Sequence, residues 1–233
     1  MGKYDELKEA CYESNKQLPR LGLVIFTFGN VSAADQSEKV FAIKPSGVPY
    51  DELRPGDMVV VDFNGKVIQG KLNPSSDTRT HAVLYSEWPL ITGIAHTHST
   101  YAVAWAQAQK DIPILGTTHA DYLPCDIPCA PVLADEKIDA DYEMETGKQI
   151  VKCFRDRNLS ANDAEMVLVS NHGPFAWGNS AGKAVYNIAV LEEIARMAWL
   201  TFRINPDAPR LKPSLIDKHF KRKHGDGAYY GQK

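Results

Sequence analysis

Apolar positions along this chain recur with two alternating spacings, one helical and one extended. Leu7, Ala10, Cys11 and Leu18 fall on a helical spacing and predict a first helix over 4–18. LVIFTF (23–28) is a dense apolar run that ends at Gly29 and reads as a strand, as does VFAIKP (40–45). MVVVDFNGKVIQG (58–70) carries two β-branched runs around Asn64-Gly65, the pattern of a hairpin closed by a two-residue turn. TRTHAVLYSEW (78–88) reads as a helix that Ser76 or Asp77 can cap. A strand is expected over ITGIAHTH (91–98), helices over 101–109 and 145–157, and a strand over MVLVS (166–170). The longest helix is predicted from about 179 to about 204. Val185, Ile188, Ala189, Ile194, Met197 and Ala198 mark its apolar side, and Pro206 follows its end. A last helix is expected over 214–224.

Helices between short strands, with a hairpin among them, predict an α/β protein. The expected architecture is a single-domain α/β/α sandwich, with a central, largely antiparallel sheet flanked by helices. No GxGxxG follows the first strand and no GxxxxGK[ST] occurs anywhere, which argues against a doubly wound nucleotide fold. With no repeat, low-complexity tract or linker, residues 1–233 are taken as one domain.

Composition narrows the classes further. A net charge of −3 does not suit a nucleic-acid surface. No apolar run reaches the roughly 18 residues that a membrane span needs. The first 17 residues lack the apolar centre of a secretory leader, and Glu6 breaks the myristoylation pattern that Gly2 would begin. A cytoplasmic location is expected, without nucleic-acid or membrane partners. The four cysteines, Cys11, Cys125, Cys129 and Cys153, fit reduced thiols better than a disulfide framework. Cys125 and Cys129 form one close pair in CDIPC. A structural zinc site wants a second pair, so small buried residues are the better reading.

Two histidines, His96 and His98, stand at the end of the apolar strand 91–98. Alternate residues of a strand share a face, so the two imidazoles lie close enough to grip one ion. Taken alone, such a pair is more often two hydrogen-bonded histidines at a strand end. Other polar residues with metal affinity shift that balance. Asp77 stands where a loop meets a helix, His172 lies just past strand 166–170, and His119 and Asp121 form a second short-spaced pair. A catalytic metal keeps about three protein ligands and an open position.

Eight ordered segments span nearly the whole chain: GNVSA (29–33), IKPSG (43–47), PSSDTRTH (74–81), HTHS (96–99), GTTHADY (116–122), HGPFAWG (172–178), IDKHFKRKHG (216–225) and AYYGQ (228–232). Together they resemble the class II aldolase/epimerase family. The resemblance implies a divalent metal, zinc or alternatively manganese, held by His96, His98 and His172. Asp77 would be a fourth, weaker ligand, or only a helix cap; His172 could otherwise be a packed loop histidine. The substrate implied is a phosphorylated ketopentose, with L-ribulose 5-phosphate and D-xylulose 5-phosphate interconverted by breaking and remaking the C3–C4 bond. Gly29-Asn30, Ser46-Gly47 and Ser75-Ser76 would ring the phosphate, with Lys44 adding positive charge. Each of these stretches alone would pass for a turn.

By the same resemblance Asp121 and Tyr230 move the proton of the C4 hydroxyl, and Thr117 and Glu143 assist around the substrate. His219 and Arg222, in a basic run that could equally be a solvated helix face, reach a subunit interface and the phosphate. The tail would enter a neighbouring subunit's site, which implies a homo-oligomer, a fourfold cyclic tetramer. A class II aldolase that releases its aldehyde, a non-enzymatic adducin-like module and an unrelated metallohydrolase are the competing readings. The retained histidines argue against the second, and the three phosphate segments against the third.

Overall fold

The computed structural model describes residues 2–224 and 228–229. Its helices are α1 (Asp5–Arg20), α2 (Thr78–Glu87), α3 (Thr100–Gln107), α4 (Thr117–Ala120), α5 (Asp135–Asp156), α6 (Ala181–Ile204) and α7 (Pro213–Lys223). Its strands are β1 (Asn30–Asp35), β2 (Val40–Ile43), β3 (Val59–Asp62), β4 (Val67–Gln69), β5 (Gly93–His96), β6 (Cys129–Ala130), β7 (Met166–Val169) and β8 (Gly173–Gly178). They form one eight-stranded sheet in the order β4-β3-β2-β1-β5-β8-β7-β6. Every pairing is antiparallel except that of β6 with β7.

Helices cover both faces, as the α/β/α expectation requires. Side-chain direction alternates along β1, so its two faces meet different layers. The Val31 backbone pairs with Asn15 of α1, while the Ser32 hydroxyl meets His81 and Tyr85 of α2 on the other side. Along β8, the ring of Trp177 packs with Trp88, at the end of α2, and with Phe154 of α5. α6 and α1 pack together on the opposite face, and α3 packs against α6. Trp177, Tyr85, Phe41, Phe154 and Phe175 are among the largest fully buried side chains between these layers.

The apolar run 23–28 is not a strand. Ile25, Phe26 and Phe28 are 62%, 81% and 51% exposed, and Phe26 takes φ 55°, which no ladder accommodates. Strand structure begins only at Asn30, in NVSAAD, whose small residues fit the middle of a sheet covered on both sides. The hairpin at 58–70 forms, but its turn is wider than two residues. Gly65 N donates to Asp62 O at 2.9 Å, Gly65 takes φ 81°, and the register shifts between Val60 and Val61. That is a type I turn closed by a left-handed glycine, with a bulge.

The predicted strand 91–98 is shorter, ending at His96, so His98 lies beyond it in the loop before α3. α5 begins ten residues earlier than the predicted 145 and is kinked at Asp141 (φ −152°, ψ 83°). β8 was hidden in GPFAWG, where glycine and proline mask a fully buried strand. The long helix α6 matches its expected span, and Ser180 caps it by accepting from Lys183 N.

Candidate metal centre and active site

Three imidazoles converge at one end of the sheet. His96 ends β5, and its ring stacks on Phe175 of β8 with centroids 4.1 Å apart. His96 Nδ1 donates to the Pro174 carbonyl at 2.9 Å. A carbonyl can only accept, so the proton sits on Nδ1 and the Nε2 lone pair is left for the cavity. His172 occupies the turn between β7 and β8, where Asn171 takes φ 61° and His172 N donates to Val169 O. The ring centroids of the three histidines lie 4.7, 5.0 and 5.2 Å apart.

One nitrogen from each of His96, His98 and His172 lies within 4.8 Å of the other two. The Nε2 atoms of His96 and His98 are 3.1 Å apart. Tetrahedral zinc with bonds of about 2.0–2.1 Å places its ligands at roughly that spacing. Burial pushes His172 down to about 3, and burial followed by the neighbouring His96 lowers His98. Neutral, converging nitrogens are the donor set that first-row divalent metals prefer. The residues present therefore fit a metal ion of that class.

The backbone is shaped for this approach. Gly29 takes φ +74°, and a Cβ there would lie 2.7 Å from the His96 carbonyl. Only glycine lets the chain run so close, which sets Asn30 opposite His96 in the β1–β5 register. Asn30 Nδ2 donates to Asp77 Oδ2 at 2.6 Å and to Ser75 Oγ at 3.0 Å. Asp77 holds the N-cap position of α2 but makes no side-chain capping bond. Its carboxylate stands beside the three imidazoles, outside their mutually close set. Burial opposes charge on Asp77, yet His96, His81, His172 and the Asn30 amide hold it below the usual carboxylate range.

The cavity in front of the imidazoles measures about 370 Å³. Asn30, Lys44, Ser46, Gly47, Ser75, Ser76, Asp77 and Glu143 line it together with the three histidines. Two loops are tied into one wall: Ser46 N donates to Asn73 O and Ser75 N to Lys44 O, each at 3.0 Å. Lys44 is buried, and its ammonium lies 4.8 Å from the centroid of the Tyr50 ring. Among the described residues no carboxylate pairs with it, and burial lowers it to about 8.

Asp121, Thr117, His219 and Arg222 gather elsewhere. Arg222 grips Asp121 with two bonds, Nε to Oδ1 at 2.8 Å and Nη2 to Oδ2 at 2.5 Å. His219 Nδ1 donates to Asp121 Oδ1 at 2.9 Å, and Asp121 N donates to Thr117 O in α4. None of these four lines the histidine cavity. Although burial raises it, Asp121 is held low by Arg222 and His219. Tyr230 lies outside the described residues.

Three further groups escaped sequence reasoning. Tyr142 lines the cavity with its hydroxyl 3.3 Å from His172 Nδ1. It reaches there from the kinked, acidic start of α5, where an aromatic among DEKIDADYEMET was the one available signal. Glu192 accepts from Tyr101 N and Ala102 N, both at 2.9 Å, and so caps α3 behind the HTHS loop. Its signal was a charge at the spacing of Ile188 and Ala195, within an apolar stripe. His81, four residues after Asp77 on α2, is fully buried.

A family model described as "Class II Aldolase and Adducin N-terminal domain" matches residues 9–199. L-ribulose-5-phosphate 4-epimerase UlaF of Salmonella paratyphi A (strain ATCC 9150 / SARB42) is 50% identical over 228 residues, covering 98% of this chain and 99% of its own. The protein of that name from Salmonella typhi matches to the same extent. Among solved structures, an L-fuculose 1-phosphate aldolase superposes with a TM-score of 0.77 at 24% identity, over 92% of this chain and 94% of its own. The L-fuculose 1-phosphate aldolase of Glaciozyma antarctica PI12 gives 0.77 at 18% identity, over 97% and 84%. At these identities the structural likeness establishes the fold.

Proposed function

Because the chain belongs to the class II aldolase and adducin N-terminal domain family, we propose that it is a metal-dependent epimerase interconverting L-ribulose 5-phosphate and D-xylulose 5-phosphate. The observation that carries this reading is the 50% identity to L-ribulose-5-phosphate 4-epimerases along essentially the whole chain. The converging imidazoles and the adjoining polar cavity, with Lys44 in its wall, support that reading.

The hydrogen on C4 of the ketose is β to the carbonyl and is not acidic, so inversion by simple proton removal is unfavourable. Breaking C3–C4 is easier. The C4 hydroxyl gives up its proton, the C3–C4 electron pair stays with the three-carbon fragment as an enediolate, and C4 becomes the aldehyde of glycolaldehyde phosphate. The aldehyde turns its other face and the bond re-forms, returning a proton to the C4 oxygen. No atom is gained or lost.

His96, His98 and His172 hold the metal in this reading, with Asp77 beside it. When bound, the cation supplies Lewis-acid stabilisation for negative charge on the ketose oxygens. Zinc is the assignment, manganese the alternative. Asn30, Lys44, Ser46, Gly47, Ser75 and Ser76 hold the phosphate dianion, so the aldehyde fragment stays tethered while it turns. Glu143 faces the sugar. Asp121 and Tyr230 exchange the C4 hydroxyl proton, with Thr117, His219 and Arg222 setting the position of Asp121.

Within one chain Asp121 stands outside the histidine cavity. That separation supports a homo-oligomer in which a neighbouring chain presents Asp121, and a fourfold cyclic tetramer is the expected form. A cytoplasmic location goes with the reading; among the described residues no helix is long and apolar enough to cross a membrane. Incubation of the purified protein with L-ribulose 5-phosphate should yield D-xylulose 5-phosphate, with the yield abolished by a chelator and restored by zinc or manganese. Accumulation of free glycolaldehyde phosphate as the main product would mark an aldolase instead.

A further inference from the structure

A buried hydrogen-bond chain runs behind the cavity wall, outside every role assigned so far. Tyr85 Oη lies 2.7 Å from Ser32 Oγ, and Ser32 Oγ lies 2.7 Å from His81 Nδ1. Ser32, His81 and Tyr85 are all fully buried. Among the described residues the Tyr85 hydroxyl has Ser32 Oγ as its one hydrogen-bond partner, so its proton has no other acceptor. The phenol is then the donor to serine, and the serine hydroxyl has one proton left for the strongest acceptor in reach, the imidazole nitrogen. His81 Nδ1 therefore accepts. An imidazole whose Nδ1 accepts carries its proton on Nε2.

His81 Nε2 is itself buried and meets no hydrogen-bond partner among the described residues. A buried N–H left unsatisfied costs about 1–3 kcal/mol, so a fixed relay ending in an orphaned donor calls for an acceptor. Asp77 is one helical turn before His81 on α2, and helical side chains lean toward the N-terminus. The two residues interact electrostatically. Asp77 Oδ2 already accepts from Asn30, while Oδ1 takes no bond among the described residues. Phe175, stacked on His96, closes the other side of the His81 ring at 6.1 Å.

We propose that His81 is a positioning residue for Asp77: its Nε2–H, fixed by the Tyr85–Ser32 relay, donates through one enclosed water to the free carboxylate oxygen of Asp77. Asn30 and His81 then hold the carboxylate from two sides, one oxygen each, and fix its angle toward the imidazole cluster. The inference rests on the proposed epimerase reading only in supposing that Asp77 belongs to the active site; the proton position on His81 is independent of it.

Two isosteres separate this role from simple packing. Glutamine can place an amide N–H where Nε2–H stands, and asparagine can place a carbonyl only where Nδ1 stands. His81→Gln should keep kcat within about threefold of the parent, while His81→Asn should lose about 10- to 100-fold in kcat with KM little changed. Equal losses in the two variants, or retention by asparagine alone, overturn the proposal. Nitrogen-15 NMR of the imidazoles gives a readout apart from turnover: His81 should show a protonated Nε2 in the parent protein and lose that pure tautomer in Ser32→Ala. A protonated Nδ1 in the parent overturns the relay. If the parent protein turns over no ketopentose phosphate, the epimerase reading fails, and the NMR result still decides the relay.

Discussion

Lys44 is a cation kept from water at the edge of a polar cavity, with burial holding it at about 8. Its charge is costly unless an anion shares the site. A phosphate dianion binds the protonated amine, so affinity in the free enzyme should be lost as pH rises through about 8. KM for the phosphorylated ketose should climb above that pH and stay flat below it until the phosphate itself protonates near pH 6. In Lys44→Met, KM should be high throughout and its rise near pH 8 should vanish; an unchanged profile in that variant removes Lys44 from phosphate binding. Such residues were legible because a polar group in an apolar or glycine-rich run stands out. His96, His98, His172, Asn30 and Lys44 announced themselves that way. Tyr142 and His81 did not, because an aromatic in an acidic stretch and a histidine on a helix each look ordinary until a kink or a strand brings them to the cavity.

The elements that carry the histidines meet with little room to spare. α3 starts two residues after His98, and no side chain within its own first turn caps it. Glu192, from the middle of α6, supplies that cap with both carboxylate oxygens. A carboxylate at a helix N-terminus satisfies orphan N–H groups and complements the dipole. Glu192→Ala should therefore destabilise the fold by about 1–2 kcal/mol in denaturant titration, and it should weaken metal binding through the HTHS loop. Glu192→Gln should lie between the two; a neutral result for both would show the cap to be idle. Element existence was readable wherever apolar spacing was regular, as in α1, α2, α6, α7, β2 and β3. It misled at 23–28, where apolar side chains face outward, and at β1 and β8, where small residues, glycine and proline form buried central strands. In those strands both faces are covered, so the usual alternation of apolar and polar residues disappears.

At the scale of the whole molecule the chain divides its chemistry between two places. One holds three imidazoles and a polar cavity with Lys44 in its wall; the other holds Asp121 clamped by Arg222 and His219. Leu21, Ile25, Phe26 and Phe28 are exposed together in the loop leading to the cavity, and Phe28 lines it. An apolar group of this kind at a cavity mouth suits coverage by another copy better than open water. A site completed across chains makes a prediction that a self-contained site cannot. His98→Asn should disable the cavity of its own chain while leaving its Asp121 intact, and Asp121→Asn should do the reverse. Each variant alone should be inactive. Unfolded together and refolded, equal amounts should regain about one quarter of parental activity, since one in four pairings joins an intact cavity to an intact neighbouring Asp121. Metal content should track the fraction of chains with His98. Verified mixed oligomers that stay inactive would place Asp121 and the imidazoles in service of the same chain, which their separation in the fold would then require a large rearrangement to achieve.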